Sequence, residues 1–371
     1  MVSTTAEKIK EIEDELKITK HNKATNSHIG RLKAKLAKLK REQQEQILGG
    51  KSGGGKGYDV KKSGDSTAAL IGLPSVGKST LLNRLTNQDS EVGAYEFTTL
   101  EAIPGILDHN GAQIQVIDLP GIISGASKGK GRGKQVLGVA RSADLILIIL
   151  DVFEAVNQYQ MILYELYHFG IRLDQKKPDV VIKKTNRGGI GIATLYHLTK
   201  IDDKTIKAIL AEYRLINADV TIRANIDADQ LIDIVEGNRV YLKSLVVLNK
   251  VDLAPPELLE KVRRELPQID LEISAGTGYN MEKLKDVIMD RLDLIRIYMR
   301  PHGSETDWNE PLIVRNGITI GGVCDKLHSS FRQEFKYARV WGSSIKHDGQ
   351  KVHINHKLAD EDVLTIVRSA R

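Results

Sequence analysis

The spacing of apolar residues near the start of the chain predicts two helices joined by a short turn. Apolar side chains recur every three or four positions in 6–17 and again in 27–46, and Ser27 is a candidate N-cap for the second helix. Each helix has one narrow apolar stripe and one lysine-rich face. Such a hairpin buries little by itself, so we expect it to pack on the rest of the chain or on a partner.

Short apolar runs further along predict the strands of an α/β core. The runs at 145–150 and 245–248 are continuously apolar, which is typical of parallel strands covered on both faces. The run at 112–117 alternates, and shorter runs lie at 68–71 and 271–273. Helical patterns follow at 80–85 and 161–168. Most of these strands lead directly into a motif that carries chemistry.

The first motif is a glycine-rich loop between a strand and a helix, and it fits the phosphate-loop pattern G-x-x-x-x-G-K-[ST]. Its glycines let backbone N–H groups turn toward phosphates at a helix N-terminus. Lys78 is expected to reach the β- and γ-phosphates, and the Ser79 hydroxyl to ligate Mg²⁺. The predicted nucleotide-binding residues here are Gly72, Leu73, Pro74, Ser75, Val76, Gly77, Lys78, Ser79 and Thr80.

Two further stretches have the residues that a nucleotide-sensing switch needs. Two threonines in 93–100, Thr98 and Thr99, compete to supply the hydroxyl that completes the Mg²⁺ shell, and we choose Thr99. Asp118, at the end of the 112–117 strand, can hold Mg²⁺ through water, and the Gly121 N–H can contact the γ-phosphate. We therefore assign catalysis to Lys78, Thr99 and Gly121, the metal to Ser79, Thr99 and Asp118, and the nucleotide to Asp118, Leu119, Pro120 and Gly121.

The last two motifs predict recognition of guanine. Asn249, Lys250 and Asp252 form N-K-x-D, in which the Asp252 carboxylate can accept hydrogen bonds from guanine N1–H and N2–H₂. Adenine would leave that carboxylate unpaired, at a cost of ~10⁴-fold or more in selectivity. A backbone contact to guanine O6 is expected from Ser274, Ala275 and Gly276. The motifs together predict a domain that binds GTP and GDP with Mg²⁺, and N-K-x-D argues against an ATP-using small-molecule kinase.

Three of these motifs resemble those of the Obg-type GTPases, and within them of the developmentally regulated GTP-binding (DRG) family. They are the phosphate loop, Tyr-Glu-Phe-Thr-Thr-Leu at 95–100 and Asp-Leu-Pro-Gly-Ile at 118–122. The resemblance covers essentially the whole length, and the chain looks like a fungal, ribosome-interacting member. It implies a helix-turn-helix, a P-loop GTPase domain, an insert similar to ribosomal protein S5 domain 2, and a C-terminal TGS domain. It also implies translating ribosomes with their rRNA, and a DRG family regulatory protein, as partners.

The insert and the C-terminal module can also be inferred from the pattern. The segments 178–184, 188–193, 203–213, 219–222 and 227–236 read as strand, strand, helix, strand and helix, which is an α+β subdomain. A helix at 281–296 should close the GTPase core. After a polar linker at 301–310, strands at 312–314 and 318–320, a helix at 323–331 and strands at 337–341, 351–354 and 363–367 predict a β-grasp module.

We therefore predict an α/β protein with six segments. Their boundaries are 1–48 for the helical hairpin, 49–64 for a Gly/Lys linker, 65–174 and 241–296 for the two parts of the GTPase domain, 175–240 for the inserted α+β subdomain, and 297–371 for the TGS domain. Basic residues at the start of the insert either contact an RNA backbone or are simply solvated; they are Lys176, Lys177, Lys183, Lys184 and Arg187.

Charge and cysteine content narrow the partners and the compartment. The net charge of the 371 residues is +6, and residues 1–62 hold 15 Lys/Arg against 8 Asp/Glu. This excess favours a polyanionic partner such as RNA over a merely solvated helix surface. Cys324 is the only cysteine, which excludes an internal disulfide and fits a reducing cytosol. We see no signal peptide or membrane span, and we expect no membrane or DNA partner, a cytoplasmic, ribosome-associated chain, and a monomer or a heterodimer with the regulatory protein.

The residue after Gly121 leaves a gap in the predicted mechanism. Many GTPases have a Gln there that orients the attacking water, whereas this chain has Ile122. We predict slow intrinsic turnover that an outside group, a ribosomal contact or a monovalent cation accelerates. K⁺ is the candidate cation, although the related GTPases that depend strongly on K⁺ usually have Asn in place of Ser75. The alternative function is a ribosome-associated scaffold in which GTP is structural and its hydrolysis incidental.

Overall fold

The computed structural model describes residues 5–20, 22, 24–47, 63–86, 103–119, 133–301 and 303–369. These residues form two compact units, one made of the N-terminal helices and Tyr167–Tyr241, the other of residues 63–166 and the residues from Leu242 on. The predicted first switch with Thr99, the residues Pro120, Gly121 and Ile122, and nearly all of the Gly/Lys linker lie outside the described residues. None of the described helices is long and apolar enough to cross a membrane.

Eleven α-helices and fifteen strands make up the regular structure of the described residues. The helices are α1 (Thr5–Ile18), α2 (Asn26–Ile47), α3 (Lys78–Leu85), α4 (Gly133–Ser142), α5 (Ala155–His168), α6 (Asp203–Glu212), α7 (Ala228–Glu236), α8 (Pro256–Glu265), α9 (Met281–Arg291), α10 (Ile320–Leu327) and α11 (Ser329–Gln333). The strands are β1 (Ser66–Ile71), β2 (Ile103–His109), β3 (Ala112–Asp118), β4 (Leu145–Asp151), β5 (Ile171–Leu173), β6 (Val180–Lys184), β7 (Ile190–Thr194), β8 (Ala218–Ile222), β9 (Val240–Asn249), β10 (Leu271–Glu272), β11 (Leu294–Met299), β12 (Leu312–Arg315), β13 (Phe335–Trp341), β14 (Gln350–Val352) and β15 (Asp362–Arg368).

The predicted GTPase core is built on a sheet with the order β10-β9-β4-β1-β3-β2. Its neighbours are parallel except for β2, which runs antiparallel to β3. Strand β1 is buried along its whole length, as the continuous apolar pattern requires. Because β1, β3, β4, β9 and β10 are parallel, their carboxyl ends lie at one edge of the sheet, where ligands bind in folds of this kind.

The N-terminal hairpin packs on the inserted subdomain. The insert has a three-stranded sheet, β6-β8-β7, covered on one face by α6 and α7. Ala34 of α2 is fully buried among the apolar side chains of this subdomain, and the Lys33 ammonium lies 2.6 Å from the Asp229 carboxylate. A Cβ on Gly30 of α2 would lie 2.6 Å from Cγ2 of Thr205 in α6, so α2 and α6 approach closely. The narrow apolar stripe of α2 is thus covered by the inserted subdomain of the same chain.

The C-terminal module is a β-grasp with the strand order β12-β11-β15-β13-β14. One predicted boundary was wrong, because α9 ends at Arg291 and 294–299 is strand β11 rather than the end of a helix. Asp293 has a φ of +54°, which stops the helix. Ile295, Ile297 and Met299 then alternate into the β-grasp core, and the match of Ile295 to helical spacing was coincidental.

Three smaller differences have local causes. The predicted strand at 318–320 is absent, because the Thr319 hydroxyl accepts a hydrogen bond from the Gly322 N–H and caps α10. Helix α2 begins at Asn26, so Ser27 lies inside it and is not its N-cap. Strand β2 was missed because it contains Pro104, which an edge strand tolerates.

Candidate functional site

The loop between β1 and α3 has no room for a side chain at either glycine of the phosphate-loop motif. A Cβ on Gly72 would lie 2.6 Å from the Ile149 carbonyl oxygen, and one on Gly77 would lie 2.6 Å from Asn249 Nδ2. Gly77 also has a φ of +94°, in the left-handed region that favours glycine. The glycines therefore let the backbone lie directly on β4 and on the end of β9, and α3 begins one residue later.

Lys78 is folded back over the loop from which it comes. Its side chain is buried, and Nζ donates hydrogen bonds to the carbonyl oxygens of Gly72 at 3.1 Å and Leu73 at 3.0 Å. Burial lowers the pKa of the Lys78 ammonium, and the nearby Asp118 carboxylate partly offsets this. The Lys78 ammonium thus lies beside the phosphate loop, and phosphate oxygens could replace its two carbonyl partners.

Ser79 and Asp118 form an oxygen cluster beside this loop. The Ser79 hydroxyl donates to Asp118 Oδ2 at 2.8 Å, while Asp118 Oδ1 is buried and has no hydrogen-bond partner among the described residues. Burial raises the pKa of Asp118, against the opposing effects of the Ser79 hydrogen bond and of Lys78. An unpaired carboxylate oxygen next to a hydroxyl is a donor set that suits Mg²⁺, so the residues present fit this ion.

Asn249 joins the base motif to the phosphate loop. Its side chain is only 1% exposed, and Nδ2 donates to the Val76 carbonyl oxygen at 2.8 Å. Its Oδ1 accepts a hydrogen bond from the Ala275 N–H at 2.9 Å. Asn249 therefore links three segments of the site, and its Nδ2 keeps a second N–H that the base can use.

Lys250 makes a second bridge of the same kind. Its Nζ donates to the Ser75 carbonyl oxygen at 2.8 Å and to Asp151 Oδ2 at 2.7 Å. The Lys250 backbone has a φ of +64°, which costs an ordinary residue about 1–2 kcal/mol. These contacts hold the strained turn in place, and Asp252 follows it on an exposed 3₁₀ turn, Val251–Leu253.

Ser274, Ala275 and Gly276 begin one residue after the end of β10, at the same edge of the sheet. Ser274 Oγ accepts a hydrogen bond from the Thr277 N–H at 3.0 Å, and the Gly276 carbonyl oxygen accepts one from the Arg84 guanidinium of α3. The segment that should contact guanine O6 is thus tied to the helix that follows the phosphate loop.

The structure brings together the predicted residues from the phosphate loop, Asp118, Leu119, the N-K-x-D motif and the 274–276 segment. Thr99, Pro120 and Gly121 lie outside the described residues, so their positions and roles stay predictions. Sequence reasoning missed Asp151 and Arg84. Asp151 had a usable signal, because it stands at the end of a buried strand as Asp118 does; Arg84, an ordinary helix residue, had none.

Gly77→Ala should destabilise the protein and lose nucleotide affinity together. The left-handed φ alone costs about 1–2 kcal/mol, and the new methyl group would displace the Asn249 side chain. Gly188→Ala is the matched control, because Gly188 has a φ of +106° with nothing within 4 Å of its Cβ position. Thermal unfolding and GDP titration of both variants check this. Equal GDP affinity in the two variants would contradict it.

Comparison with known proteins gives consistent assignments along the chain. Residues 67–184 match a family described as "50S ribosome-binding GTPase", residues 187–294 match "C-terminal region of MMR_HSR1 domain", and residues 295–368 match "TGS domain". The last match begins inside the region that we had predicted to be helix, in agreement with strand β11.

Full-length relatives occur in distant organisms. An uncharacterized GTP-binding protein of Methanocaldococcus jannaschii is 55% identical over 97% of this chain and 92% of its own length. Developmentally-regulated GTP-binding protein 1 of Xenopus laevis is 48% identical, and Ribosome-interacting GTPase 1 of Saccharomyces cerevisiae is 45% identical, each over 99% of this chain and 100% of the relative. The archaeal protein is more similar than this yeast protein, so a fungal source stays a prediction. The P-loop GTPase and TGS domains are confirmed, and the chain belongs to the developmentally regulated GTP-binding protein family.

Proposed function

We propose that this chain is a GTP-hydrolysing switch that acts on translating ribosomes. The observation that best supports it is the pair of bridges from Asn249 and Lys250 to the carbonyl oxygens of Val76 and Ser75. They couple the predicted guanine-reading turn to the phosphate loop, so base and phosphates meet one preformed surface. Asp252 is the acceptor for guanine N1–H and N2–H₂ in this proposal.

The chain's own groups have distinct roles at the phosphates. Lys78 exchanges its two carbonyl partners for β- and γ-phosphate oxygens, and backbone N–H groups at the start of α3 face the same anions. Mg²⁺, held by Ser79 and Asp118, supplies positive charge near the β- and γ-phosphates when it is bound. Thr99 and Gly121 are proposed to report the γ-phosphate from the two switches.

Intrinsic hydrolysis is proposed to be slow because Ile122 can neither orient water nor stabilise charge. Ile122→Gln should therefore raise the basal rate of GTP hydrolysis or leave it unchanged. A single-turnover assay without ribosomes measures this, with GDP affinity as the control for intact binding. A large fall in rate would show that Ile122 has a role of its own and would overturn this explanation.

K⁺ is proposed as an accelerating cation, and the residue that bears on this proposal is Ser75. Ser75 has a φ of +65°, a conformation in which asparagine is several-fold enriched. The backbone therefore accommodates the Asn of strongly K⁺-dependent relatives, but Ser75 has a hydroxyl in place of the amide oxygen of that Asn.

The proposed partners are the ribosome with its rRNA and a DRG family regulatory protein, in the cytoplasm. The name of the yeast relative describes it as ribosome-interacting, and the 15 Lys/Arg against 8 Asp/Glu of residues 1–62 suit a polyanion. We propose a monomer or a heterodimer with the regulatory protein.

Lys78→Ala separates the switch from the scaffold alternative. If GTP state controls engagement, this variant should lose GTP binding and cosediment poorly with ribosomes while it keeps its fold. Unchanged ribosome binding by a folded, nucleotide-free variant would favour a scaffold in which GTP is incidental. Circular dichroism and thermal unfolding provide the control for folding.

A further inference from the structure

The backbone of residues 274–278, which follows β10, leaves one N–H group open to a ligand. The other four N–H groups of this segment donate hydrogen bonds within the protein at 2.8–3.2 Å, and they belong to Ser274, Ala275, Thr277 and Gly278. The Gly276 N–H has no acceptor among the residues that the structure describes. Guanine O6 can therefore accept a hydrogen bond from Gly276 without displacing an existing partner.

Gly276 does not by itself fix the direction of this N–H group. Its φ lies outside the left-handed region, and a Cβ here would make only an ordinary contact, 3.7 Å from Ser274 Oγ. The position thus has room for a side chain, yet it has glycine, which retains more backbone freedom than any other residue. A contact from elsewhere in the protein is needed to hold the peptide groups on either side of Gly276 in one orientation.

Arg84 makes such a contact from the last turn of α3. Its Nη2 donates a hydrogen bond to the Gly276 carbonyl oxygen. Its Nη1 lies 2.9 Å from the position of a Cβ on Gly278, whose φ is +91°, so the guanidinium lies against this turn at two points. The Thr277 N–H in turn donates to Ser274 Oγ at 3.0 Å. The peptide group between Gly276 and Thr277 is therefore held at both its oxygen and its nitrogen.

We propose that Arg84 is a positioning residue for the recognition of guanine O6. By holding the Gly276 carbonyl oxygen, it orients the N–H of the same residue toward the base. Helix α3 begins at Lys78 and has eight residues, so one helix about 12 Å long carries the phosphate contact at one end and supports the base contact at the other. This inference rests on the proposed guanine contact of residues 274–276 and does not depend on the ribosomal function.

Two analogues of GDP separate this role from a merely structural one. 6-Thio-GDP has sulfur, a weaker hydrogen-bond acceptor, in place of O6, whereas IDP keeps O6 and lacks the 2-amino group. Arg84→Ala should weaken GDP and IDP binding by the same factor, roughly two- to tenfold for one neutral hydrogen bond. Its affinity for 6-thio-GDP should change little. Isothermal titration of the full-length protein with each nucleotide measures these affinities.

Arg264→Ala is the matched control for the loss of a cation near a helix C-terminus. Arg264 is an exposed residue in the last turn of α8, and its Nε donates to the Glu260 carbonyl oxygen of the same helix at 3.4 Å. Its substitution should leave all three affinities unchanged. Gly276→Ala in the Arg84→Ala background should recover part of the GDP affinity, because alanine restricts the backbone that Arg84 no longer holds. Thermal unfolding establishes that the variants are folded.

The inference is overturned if Arg84→Ala keeps the GDP affinity of the parent, or if it weakens GDP and 6-thio-GDP binding equally, as a general loss of structure would. A double variant that binds GDP no better than Arg84→Ala would also contradict it. The parent protein tests the proposed guanine contact separately. Equal affinity of the parent for GDP and 6-thio-GDP would remove the O6 contact and this inference with it. Discrimination that is the same in the parent and in Arg84→Ala would keep the contact and remove only the role of Arg84.

Discussion

Asp252→Asn is expected to weaken GTP binding by roughly 10²–10⁴-fold. The carboxylate of Asp252 is proposed to accept two hydrogen bonds from guanine, each worth about 1.5–3 kcal/mol for a charged acceptor. An asparagine amide keeps one acceptor but places an N–H against the guanine amino group. Xanthine has a carbonyl oxygen at that position, so the variant should bind XTP more tightly than GTP.

Competition of GTP, XTP and ATP for a fluorescent nucleotide measures this change. Asp290→Asn, on the exposed side of α9, removes a carboxylate elsewhere and should leave the preference unchanged. Asp252 is itself exposed and lies on a short 3₁₀ turn, so its substitution should not affect the melting temperature. An unchanged ratio of GTP to XTP affinity would remove Asp252 from base recognition.

Asp118→Asn is expected to separate stability from Mg²⁺ binding. Burial raises the pKa of Asp118 above its usual value of 3.8. At a pH between the ordinary pKa and the raised pKa, the folded protein binds more protons than the unfolded one. The stability of the nucleotide-free protein therefore falls as the pH rises through this interval, and the loss persists at neutral pH. Asparagine stays neutral and can still accept the Ser79 hydrogen bond, so the nucleotide-free variant should melt at the same temperature or higher.

The same substitution should weaken Mg²⁺-dependent GTP binding by roughly 10–100-fold, as for other losses in a metal's ligand shell. Titration of GTP with and without Mg²⁺ measures this, and thermal unfolding at pH 5 and pH 7 measures the stability effect. Asp290→Asn again serves as the control. A variant that is less stable without nucleotide, or that keeps the full effect of Mg²⁺, would contradict the assignment of Asp118.

Much of the site could be predicted because its chemistry demands particular residues in a fixed order. Gly72, Gly77 and Asn249 follow from motif patterns, and the structure explains each by a close approach or a hydrogen bond. The bridge from Lys250 to Asp151 could not be predicted in this way, because it joins residues 99 positions apart. Its existence depends on the pairing of β4 with β9, which no local pattern encodes.

The fold could be predicted where periodicity was unambiguous and failed where two patterns overlapped. The order of strands and helices in the insert was confirmed, since each has a clean apolar period. The segment 281–296 fits helical spacing, but its second half also alternates, and the sheet of the TGS domain decides the outcome at β11. The packing of α2 on α6 could not be predicted, because an apolar stripe does not specify which surface covers it.

Single-turnover GTP hydrolysis in K⁺ buffer, with and without purified ribosomes, tests the central claim most directly. Turnover should be slow without ribosomes and strongly stimulated by them, because the ribosome would supply or order the group that Ile122 does not provide. Equal rates with and without ribosomes, despite ribosome binding confirmed by cosedimentation, would contradict the proposed switch. They would favour the alternative function, a ribosome-associated scaffold in which GTP hydrolysis is incidental.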